Sequence, residues 1–215
     1  MKLHNYFRSS TSYRVRIALA LKGLTYDYLP IHLRKGEQRS AAYLSLNPQG
    51  AVPSLETEEG ALIPQSMAIL EYLDETYPEP PLLPDTPLAR ARVRSLAYAI
   101  ACDIHPLNNL RVLNYLVGPL GHDQAVQGEW FRHWGAVEFA ALEKRLAGES
   151  ETGRFCHGDS PGLADICLVP QVVNGRRFDC DMAPYPTIRR IHEACMAIPS
   201  FAEAAPEHQP DAESP

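Results

Sequence analysis

Five of the chain's 19 prolines fall within ten residues, Pro78-Glu79-Pro80-Pro81-Leu82-Leu83-Pro84-Asp85-Thr86-Pro87. Proline lacks a backbone N–H and fixes φ, so neither a helix interior nor a central strand survives that density. The cluster reads as a semi-rigid linker. It divides the 215 residues into a first domain, 1–79, a linker, 80–87, and a second domain, 88–215. Length alone leaves one or two domains open; the prolines decide for two.

The two parts differ in periodicity. Before the linker, strand-like and helix-like stretches alternate. Residues 2–7 are aromatic-rich and strand-like. Residues 10–22 open on hydroxyl side chains, carry Val15, Ile17, Ala18, Leu19 and Leu21, and stop at Gly23, the pattern of a capped helix. A second strand is predicted over 26–33, and a hairpin over 52–63 around Glu58-Glu59-Gly60. A helix is predicted over 66–77, with Ile69, Leu70, Leu73 and Tyr77 on one face. A β-α-β crossover followed by a hairpin and a helix makes a small mixed α/β unit. Beyond the linker, 88–103, 108–116, 127–146, 163–178 and 185–197 each support a helix, and Asp165 is spaced to reach back to its helix N-cap. The polar tail 206–215 reads as loose.

Charge and motifs exclude several classes. Twenty Lys and Arg against 26 Asp and Glu give a net charge of -6, which disfavours a nucleic-acid partner. Most of the excess acid lies beyond the linker. No apolar run approaches the ~18 residues a membrane span needs. The first residues lack the apolar core of a secretory signal, so a soluble, cytoplasmic protein is expected. Five cysteines with no C-x-x-C pair support neither a disulfide framework nor a thiolate zinc site. Zincin, dinucleotide, P-loop and serine-hydrolase motifs are missing as well, and no metal is expected.

Chemistry concentrates at Ser9-Ser10-Thr11-Ser12, directly after the first strand. A helix N-terminus offers unpaired N–H groups and a positive dipole end, both favourable to an anion. Capping explains one hydroxyl there; four exceed it. In thioredoxin-like folds this strand-to-helix turn carries C-x-x-C. Ser9 and Ser12 stand at those two places; they cannot exchange disulfides, but a hydroxyl can hydrogen-bond a thiolate supplied by a ligand. Val52-Pro53 and Gln65-Ser66 are weaker signals, since most X-Pro bonds are trans and Ser66 reads equally as a cap.

Ser9-Ser10-Thr11-Ser12-Tyr13-Arg14-Val15-Arg16-Ile17-Ala18-Leu19, Val52-Pro53, Gln65-Ser66 and Gly158-Asp159…Ala164-Asp165 together resemble the zeta class of glutathione transferases. Asp103-Ile104-His105-Pro106-Leu107-Asn108-Asn109 and Leu168-Val169-Pro170-Gln171 are similar to zeta-class segments too, so the resemblance runs from Lys2 to about Pro210. It implies the glutathione transferase fold: an α+β, thioredoxin-like, glutathione-binding N-terminal domain followed by an all-α substrate-binding domain. It implies a glutathione-dependent cis–trans isomerase of maleylacetoacetate, in the cytoplasm and as a homodimer. The alternatives are a maleylpyruvate isomerase, a transferase acting on haloacids or other electrophiles, and a non-catalytic thioredoxin-like module. The set Ser9, Pro53, Gln65 and Ser66 argues against the last.

The resemblance also implies roles. Ser9 would hold the glutathione sulfur as thiolate, with Ser10 and Thr11 beside it as the catalytic set. Val52, before a cis Pro53, would pair its backbone with the cysteinyl unit. Gln65 and Ser66 would hold the γ-glutamyl end, and Gln38 would lie near the glycyl end. His105, Asn109 and Arg111 would border the site from the helical domain. Arg8 and Arg176 would meet the carboxylates of a dicarboxylate substrate, whereas Arg14 and Arg177 read as solvated surface charges. There are two departures: Thr11 stands where the family often has cysteine, and Gly162 where it usually has threonine or serine.

Overall fold

In the computed structural model, which describes residues 1–213, β1 (Lys2–Asn5) is an inner strand with Leu3, His4 and Asn5 all buried. It pairs in parallel with β2 (Asp27–Pro30), a geometry that requires a crossover, supplied by α1 (Ser10–Leu21). Two 3-10 turns, Leu33–Lys35 and Glu37–Arg39, and a short helix, α2 (Ala41–Leu46), follow; all three escaped the sequence reading. On its other side β1 pairs antiparallel with β3 (Ser54–Glu56), placing Leu3 opposite Leu55, and β3 pairs with β4 (Leu62–Pro64). The sheet order is β2-β1-β3-β4. With α3 (Ser66–Thr76) behind β4, this is the expected thioredoxin-like unit. Leu3, Val15, Ile17, Leu19, Leu55, Ile69, Leu70 and Leu73 are fully enclosed, each side chain contributing roughly 1.5–3 kcal/mol by burial.

The chain divides into two units at Leu82 and Leu83, a few residues past the predicted boundary. Lys22 is the reason. Its buried Nζ donates to Asp74 Oδ1 (3.0 Å), Tyr77 O (2.7 Å) and Pro80 O (2.9 Å), while Asp74 Oδ1 also accepts the Leu82 N–H (2.8 Å). The front half of the proline segment is thereby tied to the first unit.

The second unit is helical, as its periodicity predicts. Thr86 Oγ1 caps α4 (Pro87–Tyr98) by accepting from Ala89 N, with Pro87 in the first turn where its missing N–H costs nothing. The predicted single helix to residue 103 is instead interrupted: α4 passes into a π-helical turn, Ala99–Ile104, and then α5 (His105–Leu107). The unit continues through α6 (Leu110–Val117), α7 (Ala125–Gly148), α8 (Leu163–Arg177) and α9 (Pro186–Met196). Asp165 reaches back from the first turn of α8 to accept the N–H groups of Gly162 and Cys156, both at 2.9 Å. A glycine cap has no side chain to return the bond, so the carboxylate acts alone.

Within this unit His192 is 4% exposed, and neither ring nitrogen has a hydrogen-bond partner among the described residues. Burial, with the Arg176 guanidinium adding to it, pushes the imidazole pKa down to about 4. The group is depressed relative to its unfolded value of about 6.5, so the unfolded chain takes up the proton first on acidification. Stability is complete above about pH 6.5 and falls by about 3 kcal/mol as the pH drops towards 4. The His192→Leu variant is expected to lose less stability than the parent over that interval. Urea midpoints at both ends of the range measure the difference, and equal losses in the two proteins would contradict it.

From Ala197 the chain returns to the first unit through α10 (Pro199–Ala202). This corrects the assignment of 88–215 to one helical domain with a loose tail. Phe201 is fully buried and its carbonyl accepts from Tyr13 Oη (2.7 Å). A 3-10 turn, Pro206–His208, follows, and Asp211 and Glu213 bond to Phe7, Tyr28 and His32. Asp211 meets part-buried donors, whereas the Glu213–His32 bond is exposed; the last two residues, 214 and 215, lie outside the described residues. Among the described residues no helix is long and apolar enough to cross a membrane.

Candidate active site

Ser9 sits in the β1–α1 turn as the N-cap of α1, with extended backbone (φ -72°, ψ 117°). Its Oγ accepts from Ser12 N (3.2 Å) and lies 2.9 Å from Thr11 Oγ1. Thr11 Oγ1 in turn donates to the Val52 carbonyl (3.1 Å), since a carbonyl can only accept. That fixes the direction of the chain: the Ser9 hydroxyl donates to Thr11, and Thr11 to Val52. Ser10 is buried in the same first turn. Ser9 is thus both a cap and the head of a hydroxyl relay, which capping alone does not require. Arg8, immediately before it, lies over the Phe7 ring with 5.0 Å between guanidinium carbon and ring centre.

Across from this turn, the Val52–Pro53 peptide is cis. The residue before it is pinned twice: the Ala51 carbonyl accepts from Tyr43 Oη (2.8 Å) and Asn47 Nδ2 (2.9 Å). Gln65 precedes α3 with φ 70° and ψ 116°, a conformation that costs a non-glycine residue about 1–3 kcal/mol and persists where the surroundings impose it. Its Nε2 donates to Gln49 Oε1 (2.9 Å). Ser66, next along, is buried at the first position of α3, and its Oγ accepts from Arg14 Nη1 (3.3 Å). Gln38 Oε1 is buried with no hydrogen-bond partner among the described residues. Gly50 (φ +58°) lets the Gln38 backbone pass, since a Cβ there would stand 2.9 Å from Gln38 O.

Arg14 corrects the sequence reading. It is 1% exposed, not solvated. A guanidinium beside the N-terminus of α3 adds its charge to the positive end of the helix dipole, and both favour an anion there. Arg177 is exposed as expected, over the Phe178 ring.

In the helical unit, His105, Asn109 and Arg111 are brought together. Asn109 is the N-cap of α6, its Oδ1 accepting from Arg111 N (3.0 Å). Its other amide atom, Nδ2, is then the donor to His105 Nε2 at 3.2 Å, so neutral His105 carries its proton on Nδ1. The Arg111 side chain is exposed. Arg176 stands in the exposed last turn of α8, near His192. Cys156 and Cys195 do not compete as nucleophiles: both thiols are buried, and desolvation with the neighbouring Asp165 carboxylate pushes both well up.

A thioredoxin-like sheet with a hydroxyl-lined helix N-terminus at its strand-to-helix turn, followed by a helical unit, defines the architecture of glutathione transferases. Comparison with known proteins agrees. The family model for the N-terminal domain of glutathione S-transferases matches residues 8–76. The maleylacetoacetate isomerase of Pseudomonas aeruginosa is 50% identical over 213 residues, 98% of both chains. A holo maleylpyruvate isomerase structure, described as a bacterial zeta-class glutathione S-transferase, superposes with a TM-score of 0.97 at 48% identity, covering 99% of this chain and all of that one. The maleylacetoacetate isomerase of Methylobacterium extorquens AM1, solved with malonate and glutathione bound, gives 0.97 at 43% identity over the full length of both chains. The chain belongs to the zeta class of the glutathione S-transferase family.

Proposed function

We propose that this chain is a glutathione-dependent cis–trans isomerase that converts maleylacetoacetate to fumarylacetoacetate. The observation that carries the reading is the Ser9 hydroxyl, seated at the N-terminus of a buried helix with Arg8 beside it. Two relatives bearing the name maleylacetoacetate isomerase, one holding glutathione together with a dicarboxylate, support it. The residues of the first unit fit such a ligand. Gln38 has an unused buried acceptor, Gln65 is strained, and Arg14 lies under a helix terminus suited to a carboxylate.

Glutathione, when bound, supplies a nucleophilic sulfur that adds to the conjugated cis double bond, lets it rotate as a single bond, and leaves again. Ser9 makes that sulfur available. An ordinary thiol has a pKa of about 8.5, and lowering it by about two units needs ~2.7 kcal/mol. A hydroxyl bond to an anion plus a helix N-terminus is of that order. To donate, the Ser9 proton turns away from Thr11, while its lone pair keeps the Ser12 N–H. Thr11 holds that proton in reserve, a positioning role that an S–H group would fill only weakly. Ser10 contributes the first-turn backbone, Val52 the peptide groups for the cysteinyl unit, Gln65 and Ser66 the γ-glutamyl clamp, and Gln38 the glycyl end.

Arg8 and Arg176 take the substrate carboxylates, a task suited to the two parallel bonds of a guanidinium. His105, Asn109 and Arg111 form the helical unit's contribution. In this division of labour the first unit binds glutathione and supplies Arg8 for one carboxylate, and the second supplies Arg176 for the other. The enzyme works in the cytoplasm as a homodimer, in tyrosine catabolism. Steady-state kinetics on maleylacetoacetate, maleylpyruvate and dichloroacetate, each with glutathione, test the assignment. Maleylacetoacetate is expected to give the highest kcat/KM. A higher value with maleylpyruvate would move the enzyme to gentisate degradation, and with dichloroacetate to haloacid conjugation.

A further inference from the structure

The turn that presents Arg8 and Ser9 is held by charged groups at successive peptides. The Tyr6 carbonyl accepts from Ser9 N (3.0 Å) and from Arg16 Nη1 (3.4 Å), and the Phe7 carbonyl from Arg16 Nη2 (3.0 Å). The N–H of Phe7, at the other end of the Tyr6–Phe7 peptide, donates to Asp211 Oδ2 (3.3 Å). Asp211 lies 204 residues away in sequence and is itself fixed, its second oxygen accepting from Tyr28 Oη in β2. The segment carrying it is braced by Gln209 Nε2, which donates to Glu203 O and Ala205 O at 2.9 Å, and by Arg16 Nε, which donates to Ala204 O (3.0 Å). One peptide unit is therefore gripped by a guanidinium on its carbonyl side and a carboxylate on its amide side. Bonds to ionised groups are about twice as strong as neutral ones.

We propose that Asp211 is a positioning residue for the thiol-activating site: from the far end of the chain it fixes the Tyr6–Phe7 peptide, and through it the placement of Arg8 and Ser9. The inference rests on the reading of Ser9 as the hydroxyl that holds the sulfur. A site that must place a donor to a few tenths of an ångström needs such support from behind. Burial and the bond to Asp211 raise the Tyr28 phenol well above its usual range, so Tyr28 stays a donor throughout the working range of the enzyme. The C-terminal segment then belongs to the active site as much as the serine motif does.

Four readings on the full-length protein test this. Amide hydrogen exchange at Phe7 without ligand reports the grip itself. Ultraviolet thiolate absorbance of bound glutathione reports the placement of Ser9. The split between kcat and the glutathione KM, and the melting temperature, complete the set. In Asp211→Ala, Phe7 exchange is expected to accelerate about tenfold, the thiolate signal to fall and kcat to drop about tenfold, the loss of one charge-assisted bond. The glutathione KM is expected to stay within about twofold, because its clamps are elsewhere. Asp211→Asn keeps an acceptor oxygen and is expected to recover part of each change. A lower melting temperature with unchanged thiolate signal and kcat would overturn the proposal, leaving Asp211 a structural latch. If Asp211→Ala does not fold, Tyr28→Phe removes only the second bond: a two- to threefold fall in kcat with faster Phe7 exchange supports the proposal, and no change contradicts it. Ser9→Ala separates the two claims. If it leaves the thiolate signal intact, the role of Ser9 fails, while Phe7 exchange still decides whether Asp211 holds the turn.

Discussion

Replacing Ser9 by alanine is expected to lower kcat by about a hundredfold, the loss typical of one hydrogen-bond donor to a developing or stabilised anion. The glutathione KM should move little, because Gln65, Ser66, Val52 and Gln38 lie on other elements. The same substitution removes a helix N-cap and is expected to cost about 1 kcal/mol of stability, since Ser12 N–H loses its acceptor. These effects separate cleanly. A variant that lost the 1 kcal/mol and kept kcat would reduce Ser9 to a cap. Thr11 sharpens the expectation: the Ser9 proton is already pointed at an oxygen in the turn, so donation to sulfur is an exchange of acceptors without rebuilding the loop.

The largest effect on stability is expected at Arg16. Its guanidinium is 1% exposed and donates to Asn5 Oδ1 and to the carbonyls of Tyr6, Phe7 and Ala204. Burial pushes its pKa down, yet an arginine remains charged at any working pH. Arg16→Met is close in volume, so the cavity contribution is small and the loss comes from orphaned carbonyls. Each buried acceptor left without a partner costs about 1–3 kcal/mol, partly offset by the desolvation the cation no longer suffers. A net loss of about 3–5 kcal/mol is expected, a large share of the 5–15 kcal/mol that holds a typical domain. Urea unfolding with an unchanged m-value measures it. A loss below about 1 kcal/mol would mean that backbone and water replace the guanidinium freely. Because the Phe7 carbonyl belongs to the turn before Ser9, kcat should fall along with stability.

The arginines of α1 also show what the sequence does and does not disclose. Arg14 and Arg16 are two residues apart, so in a helix they point about 200° away from each other and cannot share one solvent face. With Tyr13, Val15, Ile17, Ala18 and Leu19 among them, at least one guanidinium had to turn inward. The spacing does not say which one, and Arg14 reads as a surface charge because nothing in its neighbours reveals that Ser66 waits across the packing of α1 on α3. Elements with strong local signatures, such as Ser10–Leu21 stopped by Gly23 or Ser66–Thr76 before Pro78, are legible to within a residue or two. The π-helical turn at Ala99–Ile104 is not, because its residues carry the same apolar pattern as an α-helix and differ only in hydrogen-bond register. The tail reads as loose for a related reason. Asp211 and Glu213 look like solvated charges until the fold supplies the Phe7 N–H, Tyr28 and His32 as partners.

The serine motif is legible because four hydroxyls after a strand exceed the needs of a cap. The direction of the Ser9–Thr11–Val52 relay is not, since it depends on a carbonyl 41 residues further on. Likewise, the global charge of -6 points away from anionic ligands. The candidate site nevertheless gathers Arg8, Arg14 and two helix N-termini in the first unit. Local sign governs binding, because charges farther off than about a Debye length are screened.

The central claim is that glutathione is returned after each turnover, with Ser9 holding its sulfur between additions. The direct measurement incubates the enzyme with maleylacetoacetate in large excess over glutathione and counts both product and recovered thiol. The account predicts many equivalents of fumarylacetoacetate per glutathione, full recovery of the thiol, and no enzymatic product when glutathione is omitted. Product that stops at one equivalent with the thiol consumed, or that forms at the same rate without glutathione, would contradict it.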